Sequence, residues 1–245
     1  MVSGRAEQPA MLEVAGVRRH FGGIVAVEDV SFDVRAGMAT GLIGPNGAGK
    51  TTLFNLMTGI DRPDRGEVRF EGRRISDMPS HKVSHLGIAR TFQSVRVFGD
   101  MSVRENLQIA DINARLGGSS GLDDRIAQAL EQVDMSHMID KDAGMLSYGQ
   151  RKLVELAMVL IQKPKLILLD EPVAGVNPVL TEEIGAILGK LVEAGQTLLI
   201  VEHNIPFVVA LCQRVIVMAN GSLLADGSGA QIQQDERVLE AFLGA

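Results

Sequence analysis

The segment GLIGPNGAGKTT, residues 41–52, contains the pattern G-x-x-x-x-G-K-T from Gly44 to Thr51. A polyphosphate is held by backbone N–H groups that converge on it, and Gly44, Gly47 and Gly49 allow the chain to curl tightly enough to supply them. Pro45, Asn46, Ala48 and Thr52 complete the run expected to touch the nucleotide. A helix opening near Lys50 would add its positive end, and Lys50 a point charge on the terminal phosphates. The Thr51 hydroxyl has the chemistry of a Mg²⁺ ligand.

A phosphate cradle does not by itself say what is done to the nucleotide, and LILLDEP supplies the missing acids. Asp170 follows four aliphatic residues, which sets a carboxylate at the C-terminal edge of a buried strand, where it could hold the magnesium. Glu171 could orient or deprotonate a water against the γ-phosphate. His203 repeats the arrangement after TLLIVE, although a lone histidine at a strand end reads more often as a solvated turn residue. Taken singly, Gln93 in IARTFQ reads as a surface amide and Phe21 in HFGG as a core residue.

The elements that must position these residues follow from periodicity. Before residue 75, Val- and Phe-rich runs (GIVAVEDVSFDV, GEVRF) alternate with turns and read as strands. ATGLI reads as the strand entering the phosphate loop, and TTLFNLMTG as the helix leaving it. Between residues 100 and 162 the pattern is helical, with Ile126, Leu130 and Val133, and again Leu153, Ala157 and Leu160, spaced i, i+4, i+7. LILL then leads to a helix with Ile184, Ile187, Leu188, Leu191 and Val192 on one face, opened by Asn177 and Pro178, and then to TLLIV. Strand, helix, strand predicts a parallel sheet interrupted by a helical insertion. The run GGSSG, residues 117–121, reads as a flexible loop.

Composition narrows the class. With 46% apolar and 22% charged residues, the 245-residue chain can bury a substantial core. Its one cysteine, Cys212, excludes an intrachain disulfide framework and suits a reducing compartment. The N-terminal MVSGRAEQPAM lacks an apolar run of signal-peptide length, and LILL and TLLIV are too short to span a bilayer. A net charge of -6, no tryptophan and 4% aromatics argue against nucleic acid as partner.

Together these motifs resemble the ATP-binding cassette (ABC) family over nearly the whole chain, closest to the ATPases of branched-chain amino acid importers. The resemblance rests on Phe21, the phosphate loop, Gln93, LSYGQ (residues 146–150), LILLDEP, AGVNP (residues 174–178) and His203, in that order. The segments FGGIVAVEDVSF, IARTFQSVRVFGDMSVRENL and VLEAFLG carry the likeness to those importers.

The resemblance implies an α/β P-loop NTPase core with a mostly parallel sheet, a small antiparallel β subdomain and an inserted helical subdomain. The implied division is a tail at residues 1–11 and one ATPase domain at 12–245, with core segments 12–95 and 163–245 around a helical segment at 96–162. It further implies that Phe21 stacks on adenine, that Gln93 contacts Mg²⁺ and water, and that His203 and Glu171 act on the γ-phosphate with Lys50. Ser147, Gly149 and Gln150 would serve the nucleotide of a second ATPase subunit, identical or paralogous, packed head to tail.

Residues from Val95 to Leu107 would meet two multispanning permease subunits at the cytoplasmic face of a membrane, and a solute-binding protein would act indirectly. Two positions depart from the family's pattern: Tyr148 where glycine is usual, and Asn177 where aspartate is common. Similar cassettes serve urea and short amide importers and lipid exporters. Soluble cassette proteins usually carry a second cassette or a long coiled coil, and the 54 positions from Gln93 to Ser147 leave no room for that coil.

Overall fold

The structure, a computed structural model, describes residues 10–111 and 121–243. All of the GGSSG run except Gly121 lies outside the described residues. Ala10 and Met11, which the sequence reading places in the tail, open the first strand, with Ala10 opposite Arg35.

Two sheets form the frame. The antiparallel one has the order β2 (Ile24–Arg35), β1 (Ala10–Phe21), β4 (Arg65–Phe70) and β5 (Arg73–Arg74). The second runs β10 (Ser222–Gly227), β9 (Arg214–Ala219), β3 (Ala39–Ile43), β8 (Thr197–Val201), β7 (Leu166–Asp170) and β6 (Ile88–Arg90). It is parallel from β9 to β6, with β10 antiparallel at one edge. Every residue of β3, β7 and β8 is buried. A parallel strand is covered on both faces, so its sequence is a continuous apolar run. Leu166, Leu168, Leu199 and Val201 pack toward the antiparallel sheet and the helix α1 (Lys50–Met57). Ile167, Leu169, Leu198 and Ile200 pack toward helices on the other face.

α2 (Ser80–His85) precedes β6. Between β6 and β7 come α3 (Val103–Ala110), α4 (Leu122–Glu131) and α5 (Tyr148–Leu160), packed on one another through Val103, Leu107, Ile126, Leu130 and Val154. The 126, 130, 133 spacing predicts helix through Val133. The helix stops at Glu131, because Val133 N–H bonds to Leu130 O in a tighter turn and Asp134 adopts a φ of 56°. Val133 is nonetheless buried.

The helix α6 (Pro178–Glu193) opens as predicted. The Asn177 side chain accepts from Leu180 N–H at 2.9 Å, Pro178 fills the first turn, and Ile184, Ile187, Leu188 and Leu191 are buried. α7 (Ile205–Leu211), α8 (Gly229–Gln234) and α9 (Glu236–Leu243) complete the chain. Among the described residues no helix is long and apolar enough to cross a membrane.

Candidate nucleotide-binding site

The loop of residues 44–49 joins β3 to α1, and its glycines answer to their surroundings. Gly44 has a φ of 155°, and a Cβ there would lie 2.1 Å from Met218 O on β9. Gly49, at the N-terminus of α1 with a φ of 97°, would place a Cβ 2.3 Å from Ala26 O on β2. Main chain presses on the loop from two sheets, and only hydrogen fits at those points. Lys50 Nζ donates to Gly44 O (2.7 Å) and Pro45 O (2.9 Å), so the ammonium sits across the loop. Burial draws Lys50 below its ordinary value, opposed by the charges of Glu171 and Asp170. A cradle of first-turn N–H groups beside a half-buried ammonium suits a polyphosphate.

The parallel strands β8, β7 and β6, in that order beside β3, bring the other groups to the same C-terminal edge, where open α/β sheets bind ligands. Asp170 ends β7 and takes a 2.7 Å ion pair from Arg90, which ends β6; both side chains are more than nine-tenths buried. Arg90 also donates to Asn55 Oδ1 at 2.7 Å, and its guanidinium lies 5.3 Å from the Phe54 ring centroid and 5.2 Å from that of Phe92.

Glu171 adopts a φ of 51°, unusual for a residue with a side chain. Its Oε2 accepts from Gln93 Nε2 at 3.0 Å, and its Oε1 lies 3.7 Å from His203 Nδ1. Residues following β6, β7 and β8 thus meet at one carboxylate.

Thr51, Gln93 and Asp170 offer oxygen donors of the hard kind that magnesium takes, and Arg90 engages only Oδ2 of Asp170. No cluster of three His, Cys, Asp or Glu side chains is assembled for a metal among the described residues. That composition fits a cation completed by phosphate oxygens and water rather than a closed protein cage.

Phe21 is 46% exposed at the end of β1, not buried as its type alone would give. The Arg19 guanidinium lies 4.6 Å from its ring centroid and is anchored by Asp61 and Asp64. Ser147 and Gln150 form a capping box at the start of α5, with Ser147 Oγ accepting from Gln150 N–H and Gln150 Oε1 accepting from Ser147 N–H. The cap uses a lone pair of Oγ and leaves its hydroxyl hydrogen available.

A Cβ on Gly149 would fall 1.8 Å from Leu180 Cδ2, so α5 meets α6 there at close range. The Tyr148 ring lies beside Gly175 and 5.6 Å from Lys152 Nζ, folded against its own chain. Among the described residues, no hydrogen bond links Ser147 or Gln150 to residues 44–52. The predicted set therefore divides: the loop, Gln93, Asp170, Glu171 and His203 gather at the sheet edge, while Ser147, Gly149 and Gln150 start a different helix.

Sequence reasoning missed Arg90 and Glu202. Glu202 is fully buried, and its carboxylate accepts from the N–H groups of Val173 (3.0 Å), His203 (3.0 Å) and Asn204 (3.2 Å). A signal existed, since TLLIVEH repeats the strand-then-acid pattern of LILLDEP. Arg90 carried no such mark.

A phosphate loop after β3 and an acidic pair at the end of β7, two parallel strands separated by β8, with helices inserted between β6 and β7, define a nucleoside triphosphatase of the P-loop class. The chain belongs to the ABC transporter family, whose model matches residues 27–174, and it is an ATP-hydrolysing domain of that kind. It is 37% identical over 249 residues to the high-affinity branched-chain amino acid transport ATP-binding protein BraF of Pseudomonas aeruginosa, covering 96% of this chain and 98% of the relative. It is 38% identical over 246 residues to the probable branched-chain amino acid transport ATP-binding protein LivG of Archaeoglobus fulgidus, covering 96% of each. Among solved structures, a nucleotide-free ATP-binding cassette from an ABC transporter superposes with a TM-score of 0.87 at 35% identity, over 97% of this chain and all of the other.

Proposed function

We propose that this chain is the ATP-binding, ATP-hydrolysing subunit of a membrane importer for branched-chain or other small amino acids, peripheral to the cytoplasmic face of the membrane. The observation that carries the reading is the meeting of Gln93, Glu171 and His203 beside the phosphate loop, with the Ser147 and Gly149 donors on a separate helix. Residues 44–52 bind the phosphates and Phe21 the adenine. Glu171 is the general base for the attacking water, and His203, Gln93 and Lys50 orient and stabilise the γ-phosphate. Thr51, Asp170 and Gln93 would hold Mg²⁺, which would supply positive charge against the phosphates.

The protomer's own loop leaves one side of the γ-phosphate uncovered. The Ser147 hydroxyl, the Gly149 N–H and the positive end of α5 cover that side in a second subunit, identical or paralogous. ATP then closes two protomers head to tail, and hydrolysis releases them. Tyr148, folded toward Gly175, stays clear of that contact. Asn177 acts as a helix cap, a task that needs an acceptor oxygen but no charge.

The chain divides functionally into a core, residues 12–95 and 163–245, and a helical segment, 96–162, with the permease contact beginning at their junction. Within the docking segment from Val95 to Leu107, Val103 and Leu107 are core residues, whereas Phe98 is 52% exposed. Phe98 borders a groove of about 480 Å³ that continues past Phe92, Arg96, Ile109 and Met158 to α2. Lined by Phe92, Phe98, Ile109 and Met158 together with polar His81, Arg96 and Glu155, the groove of each protomer has the size to take an amphipathic helix end from one permease subunit.

The amino acid cargo comes from the relatives' transport role and is delivered by a solute-binding protein that this subunit does not touch. The test is affinity purification from native membranes. Co-purification with two multispanning proteins, with ATPase activity stimulated by an amino acid-loaded binding protein, is expected. Recovery of ribosomes or DNA without membrane proteins overturns the reading.

A further inference from the structure

Helix α5 carries two buried ionic side chains one turn apart, Lys152 and Glu155, and each grips the main chain of a different catalytic loop. Lys152 Nζ donates to Glu171 O at 2.8 Å and to Pro172 O at 3.2 Å. Glu155 accepts from the N–H groups of Arg96 and Phe92, which flank Gln93. From the opposite side, Glu202 accepts from Val173 N–H. The Pro172–Val173 peptide is thus held at its oxygen by one charge and at its N–H by another.

The clamp falls where the backbone needs it. Glu171 is held in the left-handed region, a conformation that persists only when the surroundings over-determine it. A buried ammonium is a costly way to satisfy two carbonyls, since burial draws Lys152 below its ordinary value against the opposing charges of Glu202, Glu155 and Glu171. If packing were the only task, an apolar side chain of the same length would fill the space.

We propose that Lys152 is a positioning residue that couples the two nucleotide sites of the dimer. It joins α5, whose first turn meets the partner's nucleotide, to the main chain of Glu171, which acts on the protomer's own. The inference rests on the head-to-tail reading above. Engagement of the partner's γ-phosphate shifts α5, and Lys152 carries that shift to the general base. Glu155 carries it to the loop of Gln93. One protomer's base is therefore aligned only when the other site is occupied, which makes hydrolysis cooperative.

The experiment titrates ATP against steady-state hydrolysis for the parent, Lys152→Met and Lys152→Arg. Lys152→Met should lower kcat by roughly 10- to 100-fold, as for a mispositioned catalytic group, while KM stays within about twofold and the Hill coefficient falls toward one. Lys152→Arg, which restores charge and donors, should recover most of both. Unchanged kcat and Hill coefficient in Lys152→Met overturn the proposal, as does a raised KM at unchanged kcat. If Lys152→Met does not fold, Lys152→Gln takes its place with the same expected outcomes. Failure of the head-to-tail reading would appear separately, as no ATP-induced association of Glu171→Gln protein whose Lys152 is intact.

Discussion

Asp170 and Glu171 are adjacent in the chain but serve different partners: the first is locked to Arg90 beneath the sheet edge, and the second is shared by Gln93 and His203. If Glu171 is the proposed base, replacing it with Gln keeps the shape and removes the carboxylate, so ATP affinity should hold while turnover falls about 10²-fold or more, measured as phosphate release. Arg90→Ala leaves Asp170 buried without its counter-charge. Its urea midpoint should reveal a loss of about 3–5 kcal/mol, the usual cost of breaking a buried pair. Mg²⁺ with ATP should return part of that loss by supplying positive charge at the same carboxylate. The placement of residues 44–52 between strand and helix and of 170–171 at a strand end was legible because each type sits in a motif with a mechanical reason. Arg90 was not, since its partnership depends on the β6–β7 register, which sets Arg90 opposite Leu168, two residues before Asp170.

Helix α5 is the element on which most of the account converges. Its apolar spacing marked it as a helix, and Leu153, Ala157 and Leu160 are buried as expected. The same spacing would put Lys152 and Glu155 on a solvated face, yet both are buried, because their partners are loop backbones from distant parts of the chain. Gly149→Ala drives a methyl into Leu180 and should cost about 1–3 kcal/mol by thermal denaturation, with part recovered in the double variant carrying Leu180→Ala.

Burial pushes the Glu155 carboxyl up from 4.5 to about 7, against the Phe92 and Arg96 N–H groups and the charges of Lys152 and Arg96. The folded state then binds more protons than the unfolded one between those two values, so this group's contribution to stability falls as pH rises from about 4.5 to about 7. Glu155→Gln should therefore gain stability relative to the parent between pH 5 and pH 8 in paired urea titrations. A constant difference across that range would contradict the assignment.

At the scale of the whole molecule, the alternation of strands and helices made the parallel sheet legible, and the change to helical periodicity after residue 100 marked the insertion. The order β2-β1-β4-β5 was not, because it depends on pairings between segments far apart in the chain, such as Leu12 with Phe70. Nor could spacing alone explain a serine-glycine helix start so far from the phosphate loop. The central claim is that this helix start closes on a second protomer's ATP. Sedimentation velocity of the Glu171→Gln protein tests it most directly. With Mg²⁺ and ATP the protein should sediment as a dimer and without nucleotide as a monomer, and adding Ser147→Arg should leave it monomeric although ATP still binds. A monomer in saturating ATP, or a dimer that survives Ser147→Arg, would contradict the account.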